Sequence, residues 1–175
     1  MRKIMVIVPV VSSAALVLLV GGTANAADTI TTFTLTAGEF TISAPTGTVA
    51  LGTATAKATA QTVGPFSLGD VTVTDARGGV LGWTASAISS AFTGGSGLAP
   101  TAITYTPPVA TVTPTGLAVL AAPTAKTDLT AVTAVQVAST VTGPHTAVWN
   151  PTLTFAVPAG AIAGTYTATL THSVA

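Results

Sequence analysis

Apolar and hydroxyl side chains alternate through much of this chain, most clearly near its end. Tyr166, Ala168, Leu170, His172 and Val174 fall on one face of an extended backbone. Thr165, Thr167, Thr169, Thr171 and Ser173 fall on the other. A period of two with one apolar and one hydroxyl face predicts a strand packed on one side and wet on the other. The stretch before it repeats the pattern, with Leu153, Phe155 and Val157 against Thr152 and Thr154. Pro158 to Gly164 between them predicts a hairpin-type connection. A third instance is VTVTDARGGVLGWTASA, Val71 to Ala87. Its two alternating runs flank Asp75-Ala76-Arg77-Gly78-Gly79, which predicts two strands joined by a charged turn. The same criteria place strands near 30–36, 39–43, 55–63, 70–75, 80–90, 101–105, 109–113, 116–121, 129–141, 152–157 and 164–174. No segment carries a helical period, and Gly and Pro punctuate the chain as short strands require. Gly94 to Gly97 is expected as a loop. The stretch 106–127 is expected to include a long surface loop, because Pro107, Pro108 and Pro114 do not suit central strands. Many short strands with frequent turns point to an antiparallel sandwich or barrel.

The first residues depart from this pattern. Met1-Arg2-Lys3 precedes a nearly unbroken apolar run, Ile4 to Val20, and then Ala24-Asn25-Ala26. A basic start, an apolar middle and an A-x-A end form a secretory leader, with cleavage expected after Ala26. The run is short for a membrane span and no basic cluster follows it. Residues 27–175 then form the mature chain, long enough for one domain with its own core.

Charge sharpens the expectation. Only 6% of the residues are charged, against about 25% in an ordinary domain. Past the leader, Lys57, Arg77 and Lys126 stand against Asp28, Glu39, Asp70, Asp75 and Asp128, a balance of −2. No basic patch exists for nucleic acid. Thr occurs 36 times, so hydroxyls rather than charges must keep the sheet surface wet. No cysteine is present, so the core alone must hold an exported chain. The missing cysteine also excludes a lipid-anchoring box, and THSVA carries no wall-sorting signal. Asn150-Pro151-Thr152 is disqualified as a glycosylation acceptor by its proline. Any tether outside the cell is therefore expected to be non-covalent.

Catalytic and metal chemistry find little support. Two histidines and scattered carboxylates give no ligand cluster, and no HExxH, GxSxG or phosphate loop appears. The chain is expected to be no enzyme and to hold no cofactor or metal. Candidate contact residues are few. Asp75 is expected to cap its own turn, and Arg77 either to pair with it or to lie over an aromatic face, with Trp83 the candidate ring and the fork then free to reach a ligand. Trp83 shares a register with Ala85 and Ala87, which favours a core position; an exposed Trp would stack on a sugar ring instead. Trp149, before Asn150-Pro151, is expected to be partly exposed. His172, on the apolar face of the last strand, is expected to be a neutral, partly buried packing residue.

Two blocks of the sequence resemble the WxL-domain family of secreted Gram-positive surface proteins. Val71 to Ala87 is similar to the family's L-T-V-x-D-x-R-G followed by G-W-x-L. Leu153 to Ser173, LTFAVPAGAIAGTYTATLTHS, is similar to its V-P-x-G followed by A-G-x-Y-x-A-x-L-x-W-x-L. Ala85 stands where the first tripeptide has Leu. His172 and Val174 stand where the second has Trp and Leu. The resemblance implies an all-β, antiparallel Ig-like β-sandwich and non-covalent attachment to peptidoglycan or to wall polymer. The expected function is a secreted, wall-associated, non-catalytic surface protein whose partners are wall polymer or other surface proteins. The alternative is a self-associating subunit of a surface layer or fibre. Contact is expected around Asp75, Arg77 and Trp83, with Tyr166 and His172 as a second patch.

Overall fold

The structure, a computed structural model, describes residues 27–94 and 103–175. The expected leader, most of the Gly94–Gly97 loop and the start of the 101–105 strand lie outside them. The chain divides into two units, Met1–Leu35 and Thr36–Ala175. In the first, residues 27–35 form no strand, although alternation predicts one at 30–36. Ile30, Phe33 and Leu35 there are 85–91% exposed.

The second unit is an all-β antiparallel sandwich, with no helix among the described residues. Eleven strands form among the described residues: β1 (Phe40–Ser43), β2 (Gln61–Ser67), β3 (Val71–Asp75), β4 (Trp83–Ser89), β5 (Ile103–Thr106), β6 (Thr111–Thr113), β7 (Ala118–Leu120), β8 (Thr133–Val141), β9 (His145–Trp149), β10 (Thr152–Val157) and β11 (Leu170–Val174). They make three sheets, ordered β1-β3-β9-β6, β2-β10-β5 and β11-β4-β8-β7.

The first two sheets share one bent ribbon. Strand β2 runs into β3 through Leu68–Asp70, and β9 into β10 through Asn150–Pro151, while β2 pairs with β10 and β3 with β9. Asn150 fixes the bend. Its Oδ1 accepts from Ser67 Oγ at 2.8 Å and from the Gly69 amide at 3.2 Å. The Leu68 amide donates to the Pro151 carbonyl at 2.9 Å. The third sheet packs across this ribbon. Alternation supplies the inner faces: Val71, Val73, Ala147 and Trp149 from one side, Trp83, Ala85 and Ala87 from the other, all buried. A bulge in β8, opposite Ala85 and Ser86, turns the successive residues Val135 and Gln136 both inward.

Several expectations need correction. Val71–Ala87 is not a hairpin. Strand β3 pairs with β1 and β9, and β4 with β11 and β8, so Ala76–Gly82 carries the chain from one layer to the other. Gly82 permits that crossing at close quarters, since a Cβ there would lie 2.3 Å from the Ala138 carbonyl oxygen. The stretch 152–174 is not a hairpin either, because β10 pairs with β2 and β5 while β11 pairs with β4. The strand expected at 164–174 is regular only from Leu170, preceded by one bridge between Thr167 and Thr93. The strand expected at 55–63 forms at Gln61–Ser67. Strand β9 was not anticipated at all. Trp149 at its end is buried, where partial exposure was expected.

Candidate functional site

The two expected contact patches separate in the fold. Asp75 closes β3 and is 3% exposed. Arg77 grips it twice, Nε to Oδ1 at 3.0 Å and Nη2 to Oδ2 at 2.9 Å, while the Arg77 amide also donates to Oδ1 at 3.1 Å. These bonds to Arg77 hold the Asp75 carboxyl below its usual range. The guanidinium lies 3.5 Å from the centre of the Phe40 ring. Arg77 therefore stacks on Phe40 rather than on Trp83, and its fork is spent on Asp75 rather than held out to a ligand.

Trp83 is 3% exposed. Its Nε1–H donates to His145 Nε2 at 3.0 Å, and the two rings stack with centres 6.2 Å apart. Because His145 Nε2 accepts, its Nδ1–H donates to the Gly143 carbonyl at 2.9 Å. Ala85, in the altered tripeptide, is likewise buried. The first motif is thus built into the core.

A second indole makes a longer relay. Trp149 Nε1–H donates to Tyr105 Oη at 3.1 Å. The Tyr105 hydroxyl then has one proton to give, and His172 Nε2 lies 3.1 Å away to take it. The His172 proton accordingly sits on Nδ1. Burial pushes the Tyr105 hydroxyl up to about 12 and holds the His172 imidazole below its ordinary value.

His172 stands at the end of this relay and lines a groove of ≈ 740 Å³. The groove lies between the second and third sheets. Val63 of β2, Leu153 and Phe155 of β10, and Ile103 of β5 form one wall. Leu170 and His172 of β11, with Ser89 at the end of β4 and Phe92 after it, form the other. Residues of the 44–56 and 161–169 connections close it. Tyr166 lines it too, its hydroxyl held by the Ile162 carbonyl at 2.7 Å. Phe92 and Phe155 pack with ring centres 5.4 Å apart. Among the described residues, no Asp, Glu, Lys or Arg lines the groove. Among the described residues, β2 and β11 are each the last hydrogen-bonded strand of their sheet, and β1 packs beside β11.

The structure thus brings Tyr166 and His172 together in one groove and leaves Asp75, Arg77 and Trp83 outside it. Sequence reasoning missed Ser89, Phe92 and Ile103, which come from two separated segments, and the Trp149–Tyr105 relay beneath His172. Alternation pointed to Phe155 and Leu170 as apolar-face residues but gave no sign that the face stays half open. Among the described residues, no group of His, Cys, Asp and Glu is arranged to hold a metal ion. Comparison of the chain with models of protein families, with curated proteins and with solved structures found no match.

Proposed function

We propose that this is a secreted, non-catalytic surface protein that associates non-covalently with peptidoglycan, with polymer attached to it, or with other surface proteins. The observation that carries the reading is the groove: an uncharged cleft holding Tyr166 and His172 on a core-anchored frame. An aromatic wall with few polar groups suits the apolar face of a sugar ring or a neutral peptide. The leader pattern at Met1–Ala26, the Thr-rich surface and the likeness of two blocks to WxL-domain proteins support location outside the cell and at the wall. The test is co-sedimentation with purified wall sacculi. The protein is expected in the pellet at both low and high salt, and Tyr166→Ala is expected to weaken retention about ten-fold. Wild-type protein that stays in the supernatant at both salts overturns the reading.

A second reading, a self-associating structural subunit, is favoured by a separate observation. The chain carries both an open apolar groove and an exposed apolar stretch, Ile30 to Leu35. The two readings compete for the same groove.

A further inference from the structure

We infer that the groove between β2 and β11 receives residues Thr29–Leu35 of a second copy of this chain, added as a strand between the two open edges. The inference rests on the self-association reading and names the contact that reading needs.

Three features of the molecule converge on it. First, the donor has the pattern of a strand without being one. TITTFTL places Thr31, Phe33 and Leu35 on one face, it has no regular secondary structure, and its large side chains stand in water. Exposed apolar side chains in an extended, β-branched segment gain by being covered. Second, the acceptor has the pattern of a sandwich lacking a strand. Its apolar walls belong to two facing sheets, and among the described residues no strand hydrogen-bonds to the outer edge of β2 or of β11, although β1 packs beside β11. An extended segment laid between such edges takes main-chain hydrogen bonds from them and seats alternate side chains in the pocket. Third, the two match in length and charge. Seven residues of strand span about 23 Å, and β2 is itself 7 residues long. The donor stretch carries no charged side chain and, among the described residues, neither does the groove lining, so no ion is desolvated when they meet. A charged polymer has no counter-charge to meet there.

A donor contributed head-to-tail uses two different surfaces of each copy. The association is therefore heterologous and continues into chains or closes into rings, rather than stopping at a symmetric dimer.

The test uses the secreted protein and two measurements. Sedimentation across a concentration series is expected to show oligomers that grow with concentration. Phe33→Asp, a change at an exposed position that leaves the sandwich intact by circular dichroism, is expected to weaken assembly about ten-fold or more, the effect of withdrawing one large buried side chain. The chain contains no cysteine, so disulfide trapping has no background. Leu35→Cys protein mixed with Val63→Cys protein is expected to form a crosslink between copies on mild oxidation. Leu35→Cys mixed with Thr72→Cys, on the outer face of β3, is expected to form none. Assembly that survives Phe33→Asp without the trapped crosslink leaves self-association standing and overturns this contact. A monomeric wild type whose Leu35→Cys, Val63→Cys double variant closes within one chain means the segment fills its own groove, which overturns it as well. A monomer at every concentration with no crosslink of either kind overturns both the contact and the self-association reading.

Discussion

At the scale of single residues, two indole N–H groups organise the polar chemistry of an otherwise apolar interior. Each is given an aromatic acceptor, His145 for Trp83 and Tyr105 for Trp149. The second relay is the more exposed to loss, because Tyr105 both accepts and donates. Tyr105→Phe keeps the ring and strands the buried Trp149 N–H, so urea denaturation is expected to show about 1–3 kcal/mol lost. Trp149→Phe, which withdraws the donor, is expected to restore part of that in the double variant. His172 gives the relay a pH dependence. Its folded pKa lies below the ordinary 6.5 because burial disfavours the imidazolium. The unfolded chain therefore binds the proton first. The contribution of His172 is complete above pH 6.5 and is lost as pH falls below it. A melting series from pH 8 to pH 5 is expected to fall more steeply for the wild type than for His172→Asn. Little of this was legible beforehand. The register of Trp83 with Ala85 and Ala87 marked it as core, whereas Trp149 beside Asn150-Pro151 looked like a loop neighbour. The hydrogen-bond partners lie 44 and 62 positions away in the chain, and no local pattern reports that.

At the scale of elements, alternation located strands well and their partners poorly. Strands β3, β4 and β10 sit within a few residues of where the pattern put them. Strand β9 escaped because Val148 and Thr146 share its outer face, which blurs the contrast with His145, Ala147 and Trp149. The failed hairpins have one cause. A Gly-rich break between two alternating runs looks the same whether the chain turns back into its own sheet or crosses to the facing one. What distinguishes them is pairing with distant strands, and Gly82 is where the chain presses against β8 as it enters the third sheet. Gly82→Ala sets a Cβ against the Ala138 carbonyl oxygen, an atom fixed by the β4–β8 ladder. Backbone cannot swing aside as a side chain can. A loss of about 1–3 kcal/mol is expected by chemical denaturation. Gly78→Ala sits where no atom approaches a Cβ, but its φ of 71° disfavours any side chain, so a smaller loss of about 1 kcal/mol is expected there.

At the scale of the whole molecule, composition was the better guide. Few charges, many threonines and no cysteine implied a hydroxyl-faced sheet protein held by its core, and the all-β sandwich answers that description. The groove was not foreseeable, because it exists only where connections from 44–56 and 161–169 meet two strand edges. The bent ribbon has a consequence in time. Strands β2, β3, β5 and β6 find partners in β9 and β10, and β4 finds one of its two in β11. A ribosome has released most of the chain before those partners exist. Until residue 145 emerges, only the β1–β3, β4–β8 and β7–β8 ladders are available. The nascent chain thus spends most of its synthesis as unpaired, uncharged, β-prone segments, the condition most hazardous for aggregation. Long-range pairing also slows the full-length chain to the range of milliseconds to seconds. A chain ending at Pro144 is expected to lack protected amides in β2 and β6 by hydrogen exchange, and to need a holding chaperone to remain in solution.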